Sequence, residues 1–380
     1  MKIKINNQII SDSTNEYKEG YLFLLTTQNE KYYTNQKYIT PKQLLKNIKT
    51  KFIGITGTNG KTTTAFLIGY ILDKLGFKVG IQGTEGFYIN NQLKESKTLT
   101  TPPIITTIDR VYKYNLDFFI MEVSSHSIIQ NRIDGIDFSL KIFTNLSQDH
   151  LDYHKTMQEY QKAKEIFFQD NTLKIINKKY NLDINENNAY FYPLAKKYPT
   201  NLKGDFNQEN FQAAILGISK LLNKNIDEIA KIAYQFNGIA GRMEEIKDKI
   251  IVDFAHTPDG MQKVLNSIKD KKIVVFGAGG NRDKTKRQLM GEIADKYADY
   301  IILTNDNPRC ENEKEIINNI LKGIKNTPYE IIIDRKEAIK RAISLQNNRY
   351  IFILGKGDEK YIELCNKKID FNDREFILKL

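Results

Sequence analysis

Residues 51–76, KFIGITGTNGKTTTAFLIGYILDKLG, leave the chain few choices. KFIGIT is a short, mostly apolar run that reads as a buried strand, and GTNG reads as a turn. TTTAFLIGYILDKLG places Leu67, Ile68, Ile71, Leu72 and Leu75 on one face of a helix, with Gly76 as its stop. A strand, a glycine turn and Lys61-Thr62 at a helix start are what an anion site needs. Glycines let backbone N–H groups face the anion, and the helix N-terminus adds partial positive charge. The usual phosphate-loop spacing, G-x-x-x-x-G-K-[ST], wants glycine at 55, where Ile55 stands. The shorter form G-x-x-G-K-T is met by Gly57, Gly60, Lys61 and Thr62, with Ile55 left to the strand. In such a loop Lys61 reaches terminal phosphates and the Thr62 hydroxyl ligates Mg²⁺.

The same alternation recurs along the chain. KVGIQG, LDFFIMEV and LKIFTNL are strand-like, and helical patterns cover 156–169 and 208–222. After Gly238 it starts afresh with IIVDFA, KKIVVFGAGG, YIILTND, EIIID and YIFILGKG. Strands alternating with helices predict an α/β fold with mainly parallel sheets covered on both faces. At 380 residues, two or three domains are expected. Residues 1–48, with a helix near 41–48, form a small N-terminal α/β part. Residues 49–237 are expected to form a central P-loop domain, and 238–380 a C-terminal Rossmann-like one.

A net charge of +11 favours acidic partners, but the basic residues are scattered and no nucleic-acid motif appears. No nucleic-acid role is expected. No run approaches the length of a membrane-spanning helix, and MKIKINNQII does not resemble a signal peptide. The two cysteines, Cys310 and Cys365, have no metal-ligand spacing and are too few for a disulfide framework. A reduced cytoplasmic setting is expected.

All four histidines, His126, His150, His154 and His256, lie in polar clusters next to strand-like runs. Strand C-termini are where open α/β sheets place ligand sites. Glu122 and His150 are candidate Mg²⁺ ligands, the carboxylate being the more usual donor. GAGGNRDK (277–284) fails as a dinucleotide fingerprint because Arg282 stands where a glycine is needed. It reads either as a basic loop for an acidic group or as a plain surface turn. TNDNPR and LGKGDEK also cap strands: Arg309 offers a fork for a carboxylate and Glu359 an acceptor for an ammonium, a pair able to hold a zwitterion, whereas each taken alone reads as a solvated loop charge.

Read in order, GTNGKTTT, TTPP, EVSSHSIIQNR, TNLSQDHLDYH, YQKAKEIF, FNQENFQAA, GRMEE, VDFAHTPDGM, VFGAGGNRDKTKR, TNDNPRCE and GKGDE resemble the Mur ligase family of ATP-dependent amide-forming enzymes. The match is closest to its diaminopimelate-adding branch. The resemblance implies that Gly57, Thr58, Asn59, Gly60, Lys61, Thr62 and Thr63 hold ATP phosphates, with Asn210, Arg242, Asp253 and His256 around the nucleotide. It implies Mg²⁺ on Thr62, Glu122, His150 and Lys164, the last as a carbamate, and a catalytic group of Lys61, Lys164, His150 and Glu122. Ser13, Thr100, Thr101, Ser124, Gln130 and Arg132 would hold UDP-N-acetylmuramoyl-L-Ala-D-Glu. Arg282, Asp306, Asn307, Pro308, Arg309, Gly355 and Glu359 would take meso-diaminopimelate. DNPR is the form associated with that amine, whereas lysine-adding relatives lack the arginine. The chain is expected to act as a monomer.

Two departures stand out. The segment before the phosphate loop is much shorter than the family's usual N-terminal domain, and the family's DSR motif appears as Asp12-Ser13-Thr14. In GKGDE, Asp358 stands where relatives usually show histidine. The rival readings are the same reaction with L-lysine, a folylpolyglutamate synthase-like ligase, a non-catalytic nucleotide-switch protein, and a nucleic-acid-binding ATPase.

Overall fold

The structure, a computed structural model, describes residues 1–96 and 99–380. The chain divides into two compact units, each assembled from three stretches: Met1–Leu146, Gln158–Thr200 and Glu209–Phe236 in the first, and Ser147–Met157, Asn201–Gln208 and Asn237–Leu380 in the second.

The first unit is built on an eight-stranded sheet. Its spatial order is Ala189–Tyr192, Lys174–Asn177, Phe138–Phe143, Lys51–Thr56, Phe118–Glu122, Val79–Gly83, Gly86–Ile89 and Gln92–Glu95. The first six strands are parallel, and the last two turn back as an antiparallel edge. Lys51–Thr56 lies in the middle, covered on both faces, which is why its sequence is apolar without alternation. The helix Lys61–Lys74 follows it. Ala65, Phe66, Leu67, Ile68, Ile71 and Leu72 are all buried, so this helix is enclosed rather than one-faced. It ends as expected: Gly76 takes φ +88°, and the Phe77 N–H reaches the Leu72 carbonyl.

Residues 1–48 form a four-stranded sheet, Lys2–Ile5, Gln8–Ser11, Leu22–Leu24 and Tyr38–Ile39, and a helix over Pro41–Leu45 with a Thr40/Gln43 capping box. Ile3, Ile5, Ile10 and Leu24 share one hydrophobic cluster with Phe52, Phe119 and Ile108 of the larger sheet and its helices.

The second unit carries a six-stranded sheet in the order Glu244–Lys247, Ile250–Asp253, Tyr350–Leu354, Lys272–Phe276, Tyr300–Leu303 and Tyr329–Ile331. All pairs are parallel except the first. Arg335, fully buried, ties the roots of two loops together. Its guanidinium donates to the carbonyls of Asn305 and Leu354 at 3.0 Å and pairs with buried Asp373 at 2.7 Å. Leu354 ends the strand that leads into GKGDE, and Asn305 lies just past the strand Tyr300–Leu303, immediately before DNPR. Among the described residues, no helix is long and apolar enough to cross a membrane.

Candidate active site

Three groups of side chains gather at strand ends. The first surrounds the phosphate loop. Gly57 sits at φ +142°, and a Cβ there would lie 1.9 Å from Thr144 Oγ1. Gly60 caps the helix at φ +82°, and a Cβ would lie 2.3 Å from Asn210 Oδ1. Both positions need glycine for conformation and for space. The loop is pinned from the segment after the neighbouring strand Phe138–Phe143, where the Thr58 N–H donates to the Asn145 carbonyl and the Asn59 N–H to Asn145 Oδ1, both at 2.9 Å. Lys61 Nζ folds over the loop, donating to the carbonyls of Gly57 (2.9 Å) and Thr58 (2.8 Å). Thr62 and Thr63 are buried in the first helical turn.

Lys164, 1% exposed on the helix Met157–Glu165, lies against the same loop. Its Nζ is 3.2 Å from the Gly57 carbonyl and 4.4 Å from the centre of the Tyr160 ring. Glu122 ends the adjoining strand and is equally buried. Thr84 grips its carboxylate through N–H and hydroxyl, both at 3.0 Å. Thr84 went unnoticed in the sequence, since the pairing joins residues 38 apart. His150 has φ +55°, is largely exposed beside Asp149, and belongs to the stretch Ser147–Met157 of the second unit. Among the described residues, no three His, Cys, Asp or Glu side chains form a ready-made metal cluster.

A second group in the first unit brings together most of the residues expected to hold the UDP substrate. Thr101 Oγ1 donates to the Glu122 carbonyl at 2.8 Å and accepts from the Ser124 N–H at 3.0 Å. Arg132 donates to the Thr101 carbonyl (3.0 Å) and to Gln130 Oε1 (2.5 Å). Thr100 Oγ1 is 3.3 Å from Thr84 Oγ1. Ser124 caps the short helix Ser125–Ile129. Ser13 bonds locally, to Ser11 in the first sheet.

In the second unit, Asp253 is buried at the end of its strand and accepts from the N–H groups of Met243 and Ala255, both at 2.7 Å. Burial pushes its carboxyl above the usual range, against the pull of Arg242. The Arg242 guanidinium stacks 4.2 Å from the Phe254 ring centre, and His256 Nδ1 is 2.9 Å from the Phe254 carbonyl.

The third group joins DNPR, GAGGNRDK and GKGDE. The Gly280 N–H donates to the Asn307 carbonyl at 2.9 Å, and Gly280 packs so closely on the Pro308 carbonyl that a Cβ would collide with it. Arg309 Nη1 donates to the Gly280 carbonyl at 2.9 Å, and both Arg309 and Arg282 lie against Gly279. Asn307 Nδ2 donates to Glu359 Oε2 at 2.8 Å. Gly355 lies against the Asp306 carboxylate, which burial pushes above its ordinary range. Lys356, fully buried and missed by sequence reading, donates to Asn307 Oδ1 (3.2 Å), Glu359 Oε2 (3.1 Å) and the Tyr361 carbonyl (2.7 Å). Basic loops flanking strands were legible; that a lysine of the motif would turn inward was not.

The GAGGNRDK loop is therefore more than a surface turn. Arg287, fully buried, fixes it by a two-pronged bond to Glu311 at 2.7 and 2.8 Å and a third to the Gly279 carbonyl at 3.1 Å. Arg287 beside Glu311 holds that carboxyl at about 2 against an ordinary 4.5. Because the folded value is depressed, its stabilising contribution is complete above pH 4.5 and fades as pH falls through about 2. Glu311→Gln is thus expected to melt earlier than the native chain at pH 7, with the difference shrinking as the pH drops below 4.5. Melting curves of both proteins across that range check it; a constant difference would rule it out.

The cysteine expectation needs correction. Cys310 and Cys365 form a disulfide, although 55 residues separate them. The hairpin Tyr361–Leu364/Lys367–Asp370 docks on the DNPR segment through the Arg309 N–H and the Glu363 carbonyl (2.9 Å) and brings the two thiols together. Spacing along the chain carries no trace of that docking.

Known proteins resemble this chain in sequence and in fold. The family model for the Mur ligase middle domain matches residues 55–192, and the one for the Mur ligase glutamate ligase domain matches 241–357. UDP-N-acetylmuramoyl-L-alanyl-D-glutamate–2,6-diaminopimelate ligase of Helicobacter pylori (strain J99) is 42% identical over 424 residues, covering 97% of this chain and 94% of the relative. A solved structure of a ligase of that name superposes with a TM-score of 0.62 at 26% identity, covering 97% of this chain and 93% of the other. Folylpolyglutamate synthase of Mycobacterium tuberculosis shares the fold, at TM-score 0.66 and 14% identity over 83% of this chain and 89% of that one. With both domains matched in order and a relative this similar over nearly its whole length, the chain belongs to the Mur ligase family.

Proposed function

We propose that the chain is an ATP-dependent ligase adding meso-diaminopimelate to the D-Glu carboxylate of UDP-N-acetylmuramoyl-L-Ala-D-Glu in peptidoglycan precursor synthesis. The observation that carries this reading is the linked set in the second unit, in which Arg309 donates to the Gly280 carbonyl, the Gly280 N–H donates to the Asn307 carbonyl, and the Asn307 amide donates to Glu359. A cationic fork and a carboxylate on adjoining loops suit an amino acid with charge of both signs at its far end. L-lysine has no distal carboxylate for Arg309.

The phosphate loop would hold ATP through its N–H groups and Lys61, while Thr100, Thr101, Ser124, Gln130, Arg132 and Ser13 take the UDP substrate. Arg242, Asp253, His256 and Asn210 are assigned to the nucleotide. The γ-phosphoryl group passes to the substrate carboxylate and ADP leaves. The acceptor's amine then attacks the acyl carbon, phosphate departs with the bonding pair, and the amine gives up a proton. Such a transfer needs placement and charge neutralisation more than covalent help.

The buried Glu122 carboxylate and the Thr62 hydroxyl at a helix start fit Mg²⁺, which takes few protein oxygens and keeps water or phosphate for the rest. His150 and Lys164 complete the proposed set, and a bound ion would neutralise charge on the phosphates. The enclosed Lys164 amine beside the loop is the candidate for carbamylation. Along the chain, 1–48 would serve the uridine end, 49–237 ATP and 238–380 the amino acid, in a cytoplasmic monomer with no nucleic-acid partner.

Phosphate release with UDP-N-acetylmuramoyl-L-Ala-D-Glu and ATP tests the reading, using meso-diaminopimelate, L-lysine and L-glutamate in turn. Strong stimulation by meso-diaminopimelate alone is expected. Preference for lysine would overturn the role of Arg309, and silence with all three would overturn the ligase.

A further inference from the structure

One residue outside the sets above grips the segment that carries Arg309. Glu363, in the strand Tyr361–Leu364, spends three polar groups on it. Its N–H donates to Asn307 Oδ1 at 2.8 Å, its carbonyl accepts from the Arg309 N–H at 2.9 Å, and its carboxylate lies 2.9 Å from Arg309 Nε. Leu364 forms a parallel bridge with Arg309, and the next residue on each side, Cys365 and Cys310, closes the disulfide. Arg309 itself sits at φ +51°, a left-handed backbone that an arginine adopts only where its surroundings impose it.

A partly exposed ion pair of this kind adds little to stability. Its effect on orientation is larger. The guanidinium is a rigid plane with five donors. Glu363 takes Nε and the Gly280 carbonyl takes Nη1, so the plane is held from two sides before any ligand arrives.

We propose, resting on the ligase reading above, that Glu363 is a positioning residue for the acceptor: it orients Arg309 toward the acceptor's second carboxylate and so sets the preference for amino acids that carry one. Glu363 touches Arg309, not the substrate. Its N–H and carbonyl bonds belong to the backbone and survive substitution, so the hairpin stays docked when the carboxylate goes.

The test uses full-length protein in steady-state kinetics, with Glu363→Ala and Glu363→Gln made alone and in an Arg309→Ala background. Glu363→Ala is expected to raise KM for meso-diaminopimelate about 30-fold, as loss of a charged hydrogen bond would. Glu363→Gln keeps an acceptor oxygen and should raise KM less. KM for ATP and kcat should stay within about threefold, since neither step involves the acceptor's far end. With Arg309 already alanine, removing Glu363 should cost nothing more. Turnover of L-lysine, however slow, should not change. A purely structural role would instead move kcat, KM for ATP and the melting midpoint together, and would add to Arg309→Ala. That pattern overturns the proposal. So does an unchanged KM, or a lowered one, which would make Glu363 a competitor for the fork. A native chain that ligates neither amine removes the ligase reading and this inference with it. A native chain that ligates meso-diaminopimelate alongside an indifferent Glu363→Ala removes the inference alone.

Discussion

Lys61→Ala is expected to lower kcat for phosphate release by about a thousandfold, with little change in melting temperature. Lys61 Nζ makes two bonds to loop carbonyls, Gly57 and Thr58, and its side chain is only partly buried. Water can replace those bonds, so folding loses little. A phosphate cradle loses far more, because a preorganised cation facing developing charge is worth about 10²–10³ in rate, and single cationic groups in phosphoryl transfer reach about 10³–10⁵. Lys61→Arg should recover little, since a planar fork does not replace a compact ammonium on so short a loop. Single-turnover assays at saturating ATP separate the chemical step from binding. A kcat within tenfold of the native value would remove Lys61 from the mechanism.

Arg309→Ala is the second large effect. It should reduce kcat/KM for meso-diaminopimelate by about two to three orders of magnitude, in the range expected for truncating one partner of a desolvated charge pair. The backbone is a fair control: alanine pays the same left-handed penalty at φ +51° as arginine does, and the disulfide at the next residue still holds the segment. Loss of the guanidinium is then the main change. Acceptors without a distal carboxylate should lose almost nothing. An equal loss with L-lysine would mean that Arg309 supports the loop rather than reads the ligand.

The phosphate loop was legible because its backbone requirements are local. The positive φ of Gly57 and Gly60 and the strand and helix that flank them lie within one short stretch, whereas the space at each is set by Thr144 and Asn210 far along the chain. The strands of both units were legible for a similar reason, as apolar runs bounded by turns. Asn210 was a matter of resemblance alone, yet it packs directly on Gly60. The supports of the site could not be read in advance. Thr84 on Glu122, Arg287 on Glu311, and Lys356 between Asn307 and Glu359 each depend on which loop tertiary folding delivers to which neighbour. A lysine in a glycine-rich turn looks solvated until the fold buries it. The two cysteines carry the same lesson, since only the docked hairpin makes them neighbours.

The second unit is not one uninterrupted piece of chain. Ser147–Met157 and Asn201–Gln208 count with Asn237–Leu380, and Ser147 Oγ donates to Asp259 Oδ2 at 2.9 Å inside that unit. Acceptor preference is therefore not a cassette to be exchanged between relatives by splicing at residue 237. A chimaera made that way would pair a foreign sheet with this chain's Ser147 and His150, and would break a unit in the act of transplanting it.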